Sequence, residues 1–394
     1  MPSLREGKLL NPELETQTPQ ARRAYLDRRL RETVHYGLDE LGQKPITRKD
    51  NLSKLQEENA PFANLLAGPV ARLRRLFVSP GPTHVPQGSA EDYWRFGMAF
   101  SAAGMRSGDV VLNALSYHLT PGGFMLDAGL RSLGCVVIPA GTAETVAQVK
   151  AASALKATGY AGTPSFLRTL LLRGRELNLP LHFEVAFATA EMLPESLRTE
   201  LETFGIRVLQ GYATADLGVL AYECGEKNGM HLHPECIVEI LDLETGAPAE
   251  PGQPGQVVGT TFDRDYPLLR FATGDVSALV PGEAPCPCGR TAPRLKGILG
   301  RVGDAFKVKG MFVRGSQMEE VIKRFPAVVR FQAVVTRAEH QDHLEYLVEL
   351  APGASVDVAQ IAEALRETIK VRGEVRIGML AAGAPRVDDR RVWK

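Results

Sequence analysis

Gln210-Gly211-Tyr212-Ala213-Thr214-Ala215-Asp216-Leu217-Gly218 follows the apolar run Ile206-Arg207-Val208-Leu209. The run reads as a buried strand, and the nine residues after it as a turn leaving its carboxyl end. Two glycines let backbone come close to a ligand. Tyr212 offers a flat face to a base, Thr214 a hydroxyl, and Asp216 a carboxylate for a metal ion. A strand followed by an ordinary polar turn has the same composition, so the surrounding pattern has to decide.

Upstream, apolar segments recur at Asp109–Leu115, Cys135–Pro139, 157–165 and Val185–Thr189, each a strand candidate. Helical patterns fall at Asp92–Ala103 (amphipathic), Thr120–Leu133, 143–157, 165–178 and Pro194–Phe204. This alternation predicts an α/β fold with a mostly parallel sheet. Ligands of such sheets sit at the carboxyl ends of the strands. The small polar clusters at 162–165, 188–191 and 211–216 all follow strands and are expected to line one cleft.

Residues 1–60 read as a helical entry region with its arginines on a solvated face and Thr47 as a helix N-cap. Residues 74–90 read as a short strand entering a proline-rich loop, a rigid surface turn by content. Residues 230–300 look β-rich, with turns at Glu244-Thr245-Gly246 and Pro251-Gly252. After Gly300-Arg301, strands at 328–336, 344–350 and 375–380 with a helix at 356–368 make a small α+β unit. The expected organisation is a large N-terminal domain, 1–301, containing the parallel sheet and the β-rich subdomain, and a small C-terminal domain, 302–394.

A chain of 394 residues that is 44% hydrophobic can bury a large core. Lysine plus arginine equals aspartate plus glutamate at 46 each, so no charge excess calls for nucleic acid or an anionic membrane. No apolar run spans a bilayer, and no signal pattern opens the chain, so a cytoplasmic location is expected.

Five cysteines argue against a disulfide framework. Cys286-Pro287-Cys288-Gly289 forms a knuckle, and Cys224 and His231 lie upstream, with His233 and Cys236 as competing donors. Three thiolates and one imidazole suit a closed structural zinc site; free thiols in a turn are the plain alternative. Thr273-Gly274-Asp275 ends a strand with a carboxylate suited to a ribose diol, or marks a common turn. Ala188-Thr189-Ala190-Glu191 offers backbone to an adenine edge, or simply starts a helix.

Together these segments resemble the phenylacetate–coenzyme A ligase family of adenylate-forming enzymes, from about Lys44 to Lys394. The most specific stretch is Cys286–Arg294 followed by Ile298–Asp304. Gly211-Tyr212-Ala213-Thr214-Ala215-Asp216 is similar to the family's adenine-and-metal motif, Thr273-Gly274-Asp275 to its ribose motif, and Ala190-Glu191 to its adenine segment. Tyr117–Phe124 is similar to its glycine-rich substrate region.

The resemblance implies ATP-dependent activation of a small hydrophobic or aromatic carboxylate to an acyl-adenylate, then transfer to coenzyme A. It implies adenine on Tyr212, Mg2+ on Asp216, ribose on Asp275 and Arg301, and a C-terminal domain that swings about 302–304. It also admits a homodimer. Thr214 and Arg390 complete the implied catalytic set. Four positions depart from the family pattern. Residues 78–84 contain no lysine; Asp216 replaces glutamate; Gly303 stands at the hinge aspartate; and Arg390 stands where the family has lysine. These departures keep two other readings open: a nucleotide- or acyl-adenylate-binding protein with little ligase activity, and an acid-activating enzyme with an acceptor other than coenzyme A.

Overall fold

The computed structural model describes residues 5–79, 83–243, 245–282, 285–302, 305–308, 311–338, 341–381, 384 and 386–391. The chain divides into two compact units, Met1–Gly300 and Arg301–Lys394.

The first unit is built on an eight-stranded sheet. Its order is Arg294–Leu295, Met230–Leu232, Gly218–Glu223, Arg207–Thr214, Val185–Ala188, Gly159–Gly162, Val110–Asn113 and Val136–Pro139. The five strands from Arg207–Thr214 to Val136–Pro139 are parallel. The other three join antiparallel. Alternation along the parallel strands sends side chains to opposite faces. Val111, Val185, Phe187 and Leu209 pack with Phe96, Phe100, Leu126 and Leu130 in one core. Leu112, Ala186, Val208 and Ala188 pack with Val149, Leu167, Leu170 and Leu197 in another. Helices therefore cover both faces, as a parallel sheet requires. From Val110–Asn113 the chain crosses to one side, and from Gly159–Gly162 to the other. The gap between these two carboxyl ends is the topological switch point.

Two local expectations are corrected. The helix expected from Asp92 begins at Phe96, and all eight of its residues are buried. It is not amphipathic, because it lies between the sheet and the helix Gly122–Ser132. Thr47 does not cap a helix. Thr47–Arg48 pairs in parallel with Phe271–Ala272, and Arg48 is the N-cap of the helix Lys49–Glu58.

A second sheet of the first unit runs Thr47–Arg48, Phe271–Ser277, Gly255–Thr261, Cys236–Leu241, with its three long strands antiparallel. Of the entry-region arginines, Arg22 is buried and donates to the His233 carbonyl, while Arg23 and Arg28 are solvated as expected.

The second unit has a four-stranded sheet ordered Glu374–Ile377, Gln341–Leu350, Val328–Ala338, Val387–Asp389. The helix Val358–Ile369 lays Ile361, Leu365 and Ile369 into its core, a spacing of four that keeps one face inward. No helix among the described residues is long and apolar enough to cross a membrane.

Candidate active site

The quoted stretch is not a turn after a strand. The strand runs through it to Thr214, and only Ala215–Leu217 turn before Gly218–Glu223 returns antiparallel. The register shifts at Tyr212/Ala213, a bulge that re-aims the side chains beyond it. Gly211 must lack a side chain, because a Cβ there would stand 2.4 Å from the Phe187 ring. Thr214 Oγ1 accepts from Leu217 N at 3.1 Å and fixes the turn that presents Asp216.

Asp216 is nearly sealed from solvent, its side chain 2% exposed. One carboxylate oxygen takes the ammonium of Lys49, and the other accepts from Thr83 Oγ1 at 3.4 Å. Thr83 and Ser79 share a 2.7 Å hydroxyl pair, and both are buried. They flank the tip of the hairpin Arg75–Val78/His84–Gln87; Pro80, Gly81 and Pro82 lie outside the described residues. The ends of this loop are thus buried against the site, where composition had read a surface turn. Gln56, from the helix begun by Lys49, grips the His84 backbone twice, at 2.8 and 2.9 Å, and donates to Tyr266 Oη at 3.2 Å. The His84 ring itself bonds Pro61 O and meets Phe62 edge-on. Burial, and then the Asp216 charge, hold the Tyr266 hydroxyl protonated.

Tyr212 and Asp275 meet directly. The Tyr212 hydroxyl donates to Asp275 Oδ2 at 2.7 Å, and both residues are buried. The Asp275 backbone is set by Thr273 Oγ1, which bonds both Asp275 N and Val257 O. On the neighbouring parallel strand, Thr189 Oγ1 donates to Gly211 O at 3.1 Å. Ala190 then turns the chain with φ 67°, and Glu191 accepts from Ser165 Oγ at 2.6 Å. The expected clusters at 162–165, 188–191 and 211–216 thus connect through hydrogen bonds at one end of the sheet.

At the switch point, buried Asn113 donates to Tyr117 Oη and Gly123 O, and Tyr117 stacks edge-on with Phe124. Tyr160, on the neighbouring strand, lines no open surface. It is wholly buried, with its hydroxyl spent on Thr163 O.

Cys224, His231, Cys286 and Cys288 come together, with one ligand atom from each all within 4.8 Å of one another. Cys224 Sγ lies 3.6 Å from Cys286 Sγ, and Cys288 Sγ lies 3.5 Å from His231 Nε2. A tetrahedral zinc with Zn–S bonds of about 2.3 Å spaces its donors roughly 3.5–3.8 Å apart. His231 Nδ1 faces Ala292 O at 3.2 Å, which leaves Nε2 to a ligand. The Cys288 thiol is pushed down by the hydrogen bond with Cys224, and the Cys224 thiol is pushed up by the same bond. Gly289 closes the knuckle at φ 88°, donating to Cys286 O. His233 and Cys236 are not among these donors. His233 Nδ1 accepts from Glu235 N, and Cys236 Sγ faces main-chain carbonyls.

Arg301 opens the second unit, half-buried. Arg390 is exposed and paired with Asp388 at 2.7 Å. Gly303 lies outside the described residues. Sequence reasoning missed Lys49, Gln56 and Tyr266, all of them buried, the first two brought in from the helical entry region and the third from the β-rich region.

Residues 89–260 match the family model of AMP-binding enzymes. The chain is 31% identical over 386 residues to a phenylacetate-coenzyme A ligase of Thermus thermophilus, covering 87% of this chain and 84% of that one. It is 30% identical over 363 residues to the enzyme of that name in Escherichia coli, covering 84% and 79%. A 2-hydroxyisobutyryl-CoA ligase structure with 2-HIB-AMP and CoA matches with a TM-score of 0.85 at 23% identity, over 96% of this chain and 92% of that one. That likeness fixes the α/β fold with its parallel sheet.

Proposed function

Because the chain belongs to the phenylacetate-coenzyme A ligase family of AMP-binding enzymes, we propose that it joins a small hydrophobic or aromatic carboxylic acid to coenzyme A at the expense of ATP. In the first step a carboxylate oxygen attacks the α-phosphorus and pyrophosphate leaves. In the second the thiol sulfur attacks the acyl carbon, AMP leaves, and the thiol proton passes to solvent.

One observation carries this reading. Tyr212 and Asp216 belong to one stretch and Asp275 to another 59 residues further on, yet Tyr212 and Asp275 share a hydrogen bond. Asp216 sits one turn from Tyr212 beside two buried hydroxyls. In this reading the Tyr212 ring, the backbone at Ala190-Glu191 and Gly211–Ala213 bound the adenine, and Asp275 takes the ribose diol. Asp216 is the magnesium ligand. A single carboxylate suits an ion that otherwise binds phosphate oxygens and water, and such an ion neutralises phosphate charge. Tyr117 and Phe124 stand on the acid side. Arg301 keeps its expected ribose role and Arg390 its expected catalytic role, and the second unit is read as the mobile small domain. Cys224, His231, Cys286 and Cys288 hold a structural zinc ion. Four protein ligands leave it no open position for catalysis.

ATP–pyrophosphate exchange with a panel of carboxylic acids tests the reaction. Exchange that depends on an aryl or short hydrophobic acid, followed by a thioester when coenzyme A is added, is the expected result. No exchange with any acid would sink the ligase reading in favour of a binding protein, and the lysine-free loop at 78–84 is the feature that favours that outcome. Exchange without a thioester would point to another acceptor.

Asp275→Ala should weaken AMP binding by about 1.5–3 kcal/mol, the worth of hydrogen bonds to a charged group. Calorimetric titration reads the loss, and circular dichroism checks the fold. Unchanged affinity would remove Asp275 from the ribose site.

A further inference from the structure

The loop at 78–84 has no lysine, yet a lysine is present where that loop meets Asp216. It arrives from elsewhere in the sequence, 167 positions before the aspartate it contacts. Thr47–Arg48 is stitched beside Phe271–Ala272, in the same strand that ends in the Asp275 segment, so the next residue, Lys49, starts its helix at the site. About two turns further along, Gln56 locks that helix to the His84 backbone and to Tyr266. Lys49 is thus held from both ends. Its side chain is 10% exposed, and its ammonium lies on Asp216 beside the Thr83–Ser79 hydroxyl pair.

A buried ion pair is a weak source of stability. Desolvation consumes most of the Coulomb gain, and apolar side chains of similar volume would serve the fold as well. Charge retained beside two buried hydroxyls is better suited to a ligand that brings negative charge of its own.

We propose that Lys49 is the phosphate-binding cation of this nucleotide site. With no nucleotide bound, its ammonium neutralises Asp216. When ATP arrives with its metal ion, the carboxylate turns to the metal and the ammonium turns to phosphate oxygens, with Thr83 and Ser79 as neighbouring hydroxyl donors. No bond is made or broken in this exchange of partners. A lysine suits the role, since its ammonium is a compact charge on a flexible stem that can change partner without a fixed fork geometry. The assignment rests on the nucleotide reading given above and names the residue that replaces the missing loop lysine.

Equilibrium binding to the full chain separates the phosphate chain from the nucleoside. MgATP and adenosine are titrated against the wild type, Lys49→Met, Lys49→Arg, Asp216→Asn and the double variant Lys49→Met/Asp216→Asn. Lys49→Met is expected to lose MgATP affinity by about tenfold or more, as for a lost hydrogen bond to a charged group, with adenosine affinity unchanged. Lys49→Arg should recover part of the loss. The double variant leaves no unpaired charge buried and so guards against a failure to fold. It should bind MgATP about tenfold more weakly than Asp216→Asn alone. Equal losses for MgATP and adenosine would mark Lys49 as structural, and no loss for either would make it dispensable; both overturn the assignment. If the wild type binds neither ligand, the nucleotide reading itself has failed.

Discussion

Arg198→Ala is expected to destabilise the chain by about 3–5 kcal/mol, the cost of leaving one partner of a buried ion pair alone. Arg198 and Glu223 are almost fully buried, with side chains 3% and 5% exposed. Their fork is bidentate, at 2.9 and 2.8 Å, and Arg198 Nη1 also donates to Val208 O at 2.6 Å. Without the guanidinium, Glu223 keeps only Gln210 N and Gln210 Nε2 as the donors seen here, and the Val208 carbonyl loses its side-chain partner. Gln210 opens the stretch that carries Tyr212 and Asp216, so the loss is delivered to the floor of the candidate nucleotide site. Two controls isolate the cause. Glu195→Ala removes the outer partner of Arg198, a carboxylate 69% exposed, and should cost under about 1 kcal/mol. Arg198→Lys keeps a charge but not the fork, and should fall between the two. Urea titration of each full-length variant measures the series. A value for Arg198→Ala no larger than that for Glu195→Ala would show that the pair contributes little.

The alternation of short strands with helices was readable because each parallel strand is an apolar run between glycine or polar breaks. Val185-Ala186-Phe187-Ala188 is buried along its whole length, as a central strand covered on both faces must be. The same logic misled at Phe96–Ala103. A helix buried all round has no polar stripe, and the expected helix was stretched back to Asp92, which instead accepts from Phe96 N and Gly97 N at the helix start. The stretch 210–218 was read wrongly as a turn. Gly211, Thr214 and Gly218 carry turn composition, while pairing with 218–223 keeps the first half of the stretch extended. Val387–Asp389 was missed because three residues, two of them aspartate, carry no strand signal, and only pairing with Val328–Ala338 makes them one.

Long-range ion pairs were illegible for a simpler reason. Glu15 meets Arg290 at 2.6 Å and Lys49 meets Asp216, and nothing local in either segment marks its partner. The cysteine cluster was legible because thiols beside Pro and Gly in knuckle spacing are rare as core residues. The sequence placed Cys224 and His231 in the set with Cys286 and Cys288, ahead of the competing His233 and Cys236, and the structure brings the same four together. Register decides. Gly218–Glu223 and Met230–Leu232 pair with His231 opposite Tyr222, and His231 is in turn opposite Arg294, just beyond the knuckle.

That register also gives the second large effect. The purified chain is expected to hold about one zinc ion, and Cys288→Ser to lose it. The loss should lower the thermal midpoint by roughly 5–15 °C, the shift of a destabilisation at the upper end of single substitutions. The size follows from what the knuckle anchors. Arg290, two residues after Cys288, is buried against Glu15 Oε2 and donates to Lys8 O. Glu15 also accepts from Leu10 N, Asn11 N and the Tyr222 hydroxyl. The knuckle thus ties the N-terminal segment to the strand Gly218–Glu223, and Cys224 follows directly on the Glu223 that holds Gln210. Cys236→Ala is the matched control. It removes a fully buried thiol that faces carbonyls outside the cluster, and it should keep the zinc. Metal analysis and differential scanning calorimetry of the three proteins, each with and without a chelator, decide the matter. A fully folded wild type that contains no metal, and whose midpoint a chelator leaves unmoved, would refute the zinc site. Retention of zinc by Cys288→Ser would show instead that the other three donors suffice. If zinc is lost as expected, MgATP affinity should fall with it, because the strand that ends at Cys224 is the antiparallel partner of the strand carrying Tyr212.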